Sequence, residues 1–346
     1  DIYSVAETSD GGYVAGGRFG SSIDLGNGVS ISNKGNWDGM IIKYNSEGEC
    51  EWARGIGGYV NDYIYSVAET SEGGIIVGGY FNSSSIDLGN GVILSNKGNW
   101  DGMIIKYSAE GEVEWAKVLG GSDDDEIHSV AETSDGGMIA GGYFGSSSID
   151  LGNEVVLNKQ SVDSNLVDGM IIKFSAEGEC EWAKGIGGSS FESIQSVAKC
   201  SDGGIIAGGY FRYGTIDLGN GVSLSNIINN GKEDGMIIKY SAEGECEWAK
   251  GIGGSGYDKI NAVAETRDGG ILAGGDFNSS SIDLGNGVNI GNKDLYDGMI
   301  IKYSAEGECE WAKRIGGYNQ DSINSVVETS DGGIIAGGHF EASSIE

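Results

Sequence analysis

One phrase, S-V-A-E-T-S-D-G-G-x-x-A-G-G-x-F, recurs six times in this chain with small changes, beginning at Ser4, Ser66, Ser129, Ser196, Ala262 and Ser325. Neighbouring copies lie 62 (Ser4 to Ser66) to 67 (Ser129 to Ser196) residues apart. A second phrase, D-G-M-I-I-K-Y followed by E-G-E-C-E-W-A-K-x-I-G-G, falls between consecutive copies and occurs five times. Self-similarity at such a period means an array of supersecondary units, none of which buries its apolar face alone.

Within one period the hydrophobic pattern is that of strands. In the second copy, residues 66–71 read as a short strand A, ended by Glu72-Gly73-Gly74, where the other copies have Asp-Gly-Gly, a strong hairpin signal. Residues 75–81 read as strand B, whose paired glycines allow close backbone approach. Residues 103–107 are strand C. Residues 112–117 are strand D, with Val113, Trp115 and Lys117 alternating against Glu112 and Glu114. Between B and C, Asn90-Gly91 predicts a small additional hairpin, repeated at Asn27-Gly28, Asn220-Gly221 and Asn286-Gly287; Asn153-Glu154 makes that turn less certain in the third copy. No helical periodicity is present.

Four antiparallel strands per period, joined by glycine turns, predict an all-β fold, a β-propeller of four-stranded blades. A β-solenoid is the competing array, but its rungs are shorter. The chain is expected to be a single propeller domain, 1–346, with repeats at about 1–58, 59–121, 122–188, 189–254 and 255–317 and a half-repeat at 318–346. Six A–B hairpins against five C–D hairpins leave a half-blade over, so the expectation is a six-bladed ring lacking a hairpin or part of a longer array. Either 334–340 or 13–19 is then an open edge, inviting self-association.

The residues 10–17 (D-G-G-Y-V-A-G-G), 38–44 (D-G-M-I-I-K-Y) and 49–58 (E-C-E-W-A-R-G-I-G-G) resemble the bacterial β-propeller repeat family, and more distantly kelch blades. The resemblance covers the whole chain. It implies a secreted or cell-surface protein, so an extracellular or cell-surface location is expected, and it supplies no catalytic residue.

Composition narrows the partners. Of 346 residues 64 are Gly and none Pro, and the formal net charge is −31. That field repels phosphate backbones and anionic lipid, so no nucleic acid is expected as a partner. No apolar run is long enough to span a membrane as a helix, so no membrane insertion is expected. Cys50, Cys180, Cys246 and Cys309 fill one slot in four repeats and Val113 fills it in another, which marks a small buried hydrophobe; Cys200 stands alone. No disulfide framework or cysteine metal site follows.

Comparison among the repeats locates a candidate binding face. The A–B and C–D turns share one end of a blade and barely change. The B–C and D–A loops share the other end and vary. There the residue before the strand-B Phe is Arg18, Tyr80, Tyr143, Tyr210, Asp276 or His339, and the residue before D-G-M is Trp37, Trp100, Val167, Glu233 or Tyr296. The two longer B–C loops are 158–167 and 226–233. Loops on a rigid scaffold carry function, and exposed aromatics there suit a protein or a carbohydrate partner. The face is therefore expected to comprise Arg18, Trp37, Tyr80, Trp100, Tyr143, Tyr210, Asp276 and Tyr296.

Acidic residues recur in register, and calcium is the one cofactor considered. Asp62, Asp125, Asp258 and Asp321 precede strand A and are candidate ligands, although calcium takes about six to eight oxygens and one loop offers few. The alternative is that they cap turns. Lys43, Lys106, Lys173, Lys239 and Lys302 are expected to form cross-strand ion pairs. No nucleophile elbow, zinc motif or phosphate loop appears, and near-identical blades lack the asymmetry of a unique active site. The chain is accordingly expected not to be an enzyme, with a glycan-active enzyme as the remote alternative.

Overall fold

The structure, a computed structural model, describes residues 1–341 apart from 162, 164, 229 and 230. Those four positions, within the two longer B–C loops, and residues 342–346 of the half-repeat therefore lie outside the described residues. The chain packs as two compact units, Asp1–Lys159 with Ile172–Ala183 and Gln160–Ile171 with Lys184–Glu346.

Each repeat folds as expected into a four-stranded antiparallel sheet in the order A, B, C, D, and no helix occurs among the described residues. This is the architecture of β-propeller blades. Strand A is Ile2–Glu7, Asp62–Glu69, Asp125–Glu132, Glu192–Lys199, Asp258–Glu265 and Asp321–Glu328 in successive repeats. Strand B is Tyr13–Phe19, Ile75–Phe81, Met138–Phe144, Ile205–Phe211, Ile271–Phe277 and Ile334–Phe340. Strand C is Asp38–Tyr44, Asp101–Tyr107, Asp168–Phe174, Asp234–Tyr240 and Asp297–Tyr303. Strand D is Cys50–Ile56, Val113–Leu119, Cys180–Ile186, Cys246–Ile252 and Cys309–Ile315. The last A–B hairpin stands as a two-stranded sheet whose strand B is exposed throughout, while Tyr13–Phe19 is paired on both sides.

Strands B, C and D match their predicted positions within two residues. Strand A starts earlier than predicted, at Asp62 rather than Ser66, because a β-bulge after Ile64 interrupts its alternation. The bulge recurs after Ile2, Ile127, Ile194, Ile260 and Ile323. The small hairpins also form. Asn90 and Gly91 both take positive φ, as a type I′ turn needs, and in the third repeat Asn153 (50°) and Glu154 (64°) hold the same turn without glycine.

The strand-B glycines are where consecutive repeats meet. A Cβ on Gly78 would lie 2.6 Å from Val130 Cγ1 and 2.8 Å from Ile127 Cγ2 of the next strand A, and Gly208 and Gly274 are pressed in the same way. A Cβ on Gly79 would collide with the Tyr63 carbonyl oxygen inside the blade. Further bonds join the repeats. Val67 N donates to Ser4 Oγ and Val130 N to Ser66 Oγ, both at 3.1 Å. Ser71, through its N–H and its hydroxyl, donates to Glu132. Trp52, Trp115 and Trp248 donate their indole N–H to the carbonyls of Ala109, Ala176 and Ala305 in the next C–D turn, at 2.9 to 3.0 Å.

The remaining recurrent residues have structural places. All five cysteines are free and buried. Lys43 pairs with Asp10 (2.8 Å) and Glu51 (3.2 Å), and Lys106, Lys173, Lys239 and Lys302 pair likewise with acids beside them.

Gly78→Ala is expected to lower unfolding free energy by about 1–3 kcal/mol through overpacking. Gly337→Ala, where a Cβ would meet nothing within 4 Å, should stay within about 0.5 kcal/mol of wild type. Urea unfolding midpoints of the two variants check the contrast, and equal losses would contradict the role given to the glycine seam.

Candidate functional site

Three positions in each blade converge at the B–C/D–A end. Two belong to strand A, on either side of the Ile that precedes the bulge, and the third is the residue before the strand-B Phe. In the second blade these are Tyr63, Tyr65 and Tyr80; in the third, Glu126, His128 and Tyr143; in the fifth, Lys259, Asn261 and Asp276. Tyr63 faces Tyr80, Glu126 faces Tyr143 and Lys259 faces Asp276 directly across the strands. The bulge re-aims the second strand-A residue, a common use of bulges beside binding sites.

In the first unit these positions assemble an aromatic ladder. Tyr63 stacks on Tyr80 with ring centroids 4.9 Å apart, and Tyr80 on Trp100 at 5.3 Å. Tyr65 meets Tyr3 at 5.5 Å, Tyr80 at 5.6 Å and the His128 edge at 5.6 Å, and His128 meets Tyr143 at 5.3 Å. Arg18 ends the ladder. Its guanidinium lies 4.5 Å above the Trp37 ring and 5.0 Å from the Tyr63 ring, and it donates to Tyr63 Oη (2.9 Å) and to Asp1 Oδ2 (2.8 Å). Burial, then the neighbouring Tyr65 and Glu126, raises the Tyr80 hydroxyl far above the usual phenol range, and burial with Glu126 does the same to Tyr143. Both therefore remain neutral donors.

Beside Arg18 opens a cleft of about 630 Å³, lined by Gly20, Ser21, Asn36, Trp37, Asn61 and Tyr63. A size of this order suits a small ligand.

In the second unit the same positions carry charge. Lys259 Nζ lies 3.0 Å from Glu233 and 4.3 Å above the Tyr210 ring. Asn261 and Ser322 donate to Asp276 Oδ1 at 2.9 and 3.2 Å. A cleft of about 460 Å³ is lined by Glu233, Tyr257, Lys259, Asp276, Tyr296 and His339, among others.

Of the residues expected at the face, Arg18, Trp37, Tyr80, Trp100 and Tyr143 are therefore brought together in the first unit, and Tyr210, Asp276 and Tyr296 gather around Lys259 in the second. The expectation of exposed rings is corrected for Tyr80, which is 7 % exposed, whereas Trp37 and Trp100 retain 38 % and 36 %. Stacking between Tyr63 and Trp100 covers it. Sequence reasoning missed Tyr3, Tyr63, Tyr65, Glu126, His128, Lys259 and Asn261. Their signal was present: the two residues flanking the strand-A Ile vary among the copies while Ile and Val stay.

Asp62, Asp125, Asp258 and Asp321 lie at the base of this face, and Asp321 also lines the second-unit cleft. Each begins strand A, and N–H and O–H donors take its oxygens. Asp62 accepts from Gly58 N (2.9 Å), Asn82 N and Ser83 N (3.1 Å each) and Ser83 Oγ (2.6 Å). Asp125 accepts from Gly121 N and Ser146, Asp258 from Gly254 N, Asn278 N and Ser279, and Asp321 from Gly317 N and Glu341 N. They staple the D–A loop to the end of strand B. Among the described residues no group of three or more His, Cys, Asp or Glu is placed to hold a metal ion. The melting temperature is expected to be the same in calcium and in chelator, and a rise with calcium would refute the staple role.

Each staple faces a second buried carboxylate, the Asp that opens strand C. Burial, with Asp101 adding, pushes Asp125 up to about 6. Burial, with Asp258 adding, brings Asp234 to about 6. Burial and Asp168 bring Glu192 to about 8. These carboxyls bind more protons folded than unfolded. Their stabilisation is present below the ordinary carboxylate range and is lost as pH rises through about 6 to about 8. Pairs such as Asp268 with Lys302 run oppositely, with Asp268 held low by the ammonium, and fail only in strong acid. The melting temperature should therefore peak near about pH 4, the ordinary carboxylate range, and fall towards pH 8; a flat or rising profile across that range contradicts the buried pairs.

No protein-family model matches the chain. It is 23 % identical over 364 aligned residues, 88 % of this chain, to an uncharacterized WD repeat-containing protein of Acanthamoeba polyphaga mimivirus. It is 28 % identical over 111 residues, 32 % of this chain, to the regulatory protein FlaEY of Caulobacter vibrioides. The chain spans 26 % and 12 % of those two relatives. Among solved structures it is similar to a streptogramin B lyase (10 % identity, 97 % of this chain and 89 % of that one, TM-score 0.40). It is also similar to the quinohemoprotein alcohol dehydrogenase ADHIIG of Pseudomonas putida HK5 (12 % identity, 94 % and 53 %, TM-score 0.43). The expectation that the chain is not an enzyme is thereby corrected: structures similar to it include enzymes. A missing contiguous motif does not exclude catalysis on a fold whose loops supply the site residues. These likenesses assign no activity to this chain.

Proposed function

We propose that this chain is a recognition module that engages a partner, a protein surface or a carbohydrate, through the B–C/D–A end of its blades. The observation that carries the reading is the aromatic ladder of the first unit. Tyr, Trp and Arg are the residue types that dominate binding hot spots, and here they are locked against one another on a sheet, so little side-chain freedom is lost on binding. Trp37 and Trp100 are the exposed members and the natural contact points. The constant turns at the opposite end are occupied with holding the next repeat. We place the protein outside the cell or at its surface on the family resemblance.

The test compares wild type, a Trp37→Ala/Trp100→Ala double variant and Glu72→Gln, an exposed change on an A–B turn, against an immobilised panel of peptides and glycans. Ligands held by wild type should be lost by the double variant, a drop of at least about tenfold, and kept by Glu72→Gln. Equal retention by all three would overturn the reading.

A further inference from the structure

The acid that begins strand A is answered by a serine hydroxyl in the second, third and fifth blades but not in the fourth. Ser83 Oγ donates to Asp62 at 2.6 Å, Ser146 Oγ to Asp125 at 2.6 Å and Ser279 Oγ to Asp258 at 2.5 Å. Each of these hydroxyls also accepts an N–H of the D–A loop, from Val60, Asp123 and Gly256 respectively. In the fourth blade the acid is Glu192 and the serine position is Tyr213. Tyr213 is exposed, and its hydroxyl lies against Gly231 in the loop before strand C.

The exchange leaves the base of the fourth D–A loop loose and short of donors. A Cβ on Gly58, Gly121 or Gly254 would lie 2.7 to 3.0 Å from the serine hydroxyl oxygen, whereas on Gly188 it would find nothing nearer than the Thr215 carbonyl oxygen at 3.6 Å. Glu192 is fully buried, and neither of its carboxyl oxygens receives a well-formed hydrogen bond, although the Gly188 N–H lies beside them. The charged group that faces it is Asp168 at the start of strand C, also fully buried, which accepts from the Gln160 N–H at 2.5 Å. Gly188 on the D–A loop, Ser193 on strand A and Phe211 opposite on strand B add no charge, and Arg212 beyond Phe211 is turned to the Gly231 carbonyl. Asp62 tolerates its charge because N–H and O–H donors surround it. Glu192 has no such shell, and two buried carboxylates that face one another do not both ionise.

We infer that the fourth blade carries a proton-operated latch, in which a proton held between Glu192 and Asp168 keeps the D–A loop 187–191 seated and its loss to solvent releases that loop. The latch needs no partner and so stands apart from the recognition reading, but it reaches the variable end: Glu192 N donates to the Val167 carbonyl at 3.1 Å, which ties strand A to the residue before strand C. Burial, then Asp168, pushes Glu192 up to about 8. The closed loop holds a proton that the open loop gives up in the ordinary carboxylate range. Closure is therefore full in acid and is lost progressively as pH rises to about 8.

Pulsed hydrogen exchange of the full chain at about pH 6 and about pH 8, corrected for the intrinsic rise of exchange with pH, tests it. Between the two, segment 187–192 should lose protection by at least about tenfold relative to 57–62 and 120–125 in the same sample. Glu192→Gln, uncharged at every pH, should abolish the difference. So should Glu192→Asp combined with Tyr213→Ser, which rebuilds the staple of the second blade. The Glu192 carboxyl carbon, followed by NMR, should titrate well above the ordinary carboxylate range. Equal change in all three segments of wild type, a loss that survives either substitution, or titration of Glu192 near about 4 would each overturn the inference. Should the double variant not fold, Glu192→Gln and the titration decide.

Discussion

The seam between consecutive repeats is the constraint on which everything else depends. A strand-B glycine without a Cβ admits the Ile and Val of the next strand A, as Gly78 admits Ile127 and Val130. Ser66 and Glu132 then close the same seam with hydrogen bonds, and the indoles of Trp52, Trp115 and Trp248 reach the following C–D turn. Apolar burial at the seam is the larger, non-directional term, and the hydrogen bonds fix its register. A single repeat offers half of each contact, so the repeats are stable only as neighbours, as nearest-neighbour arrays are.

This explains why one end of the blades is invariant. The S-A-E-G-E turn is constant because its Ala carbonyl receives a tryptophan from the previous repeat and its glycine lies under that ring: a Cβ on Gly111 would sit 2.6 Å from Trp52 Cδ2, and φ there is +78°. The T-S-D-G-G turn is constant because Ser71 is held by Glu132 and because acids such as Asp10 and Asp135 hold the strand-C lysines. Identity at these turns records contact with the next repeat. The loops at the other end are released from that duty once the Asp62-type staples have fixed their bases.

Much of the architecture was legible in the sequence. The repeat, the glycine turns and the apolar runs of strands B, C and D give the sheets almost residue by residue. Strand A was read short because its bulge breaks the period of two on which strand patterns rest. The same bulge hid the site. Tyr63 and Tyr65, or Lys259 and Asn261, precede the recognisable S-V-A-E phrase and looked like loop. Trp37 and Trp100 were recognisable as exposed face residues; Tyr80 was not recognisable as buried, since its cover is Tyr63 and Trp100, one from the opposing strand and one from a loop distant in sequence.

The chemistry of the face is set blade by blade through cross-strand pairs. Tyr63 opposite Tyr80 gives stacked rings, Glu126 opposite Tyr143 an acid against a phenol, and Lys259 opposite Asp276 a cation against an anion. Each pair is of a kind that stabilises its own hairpin, so a blade changes its surface chemistry without disturbing the seam, which is made by the Ile between the variable residues and the Val after the bulge. The second variable residue of strand A then links blades, as Tyr65 does by touching both Tyr80 and His128. A run of aromatic blades therefore fuses into one ladder, whereas Lys259 and Asp276 occupy a separate polar cleft. A repetitive scaffold acquires distinct binding chemistries in this way because its invariant and variable residues alternate along the same strand.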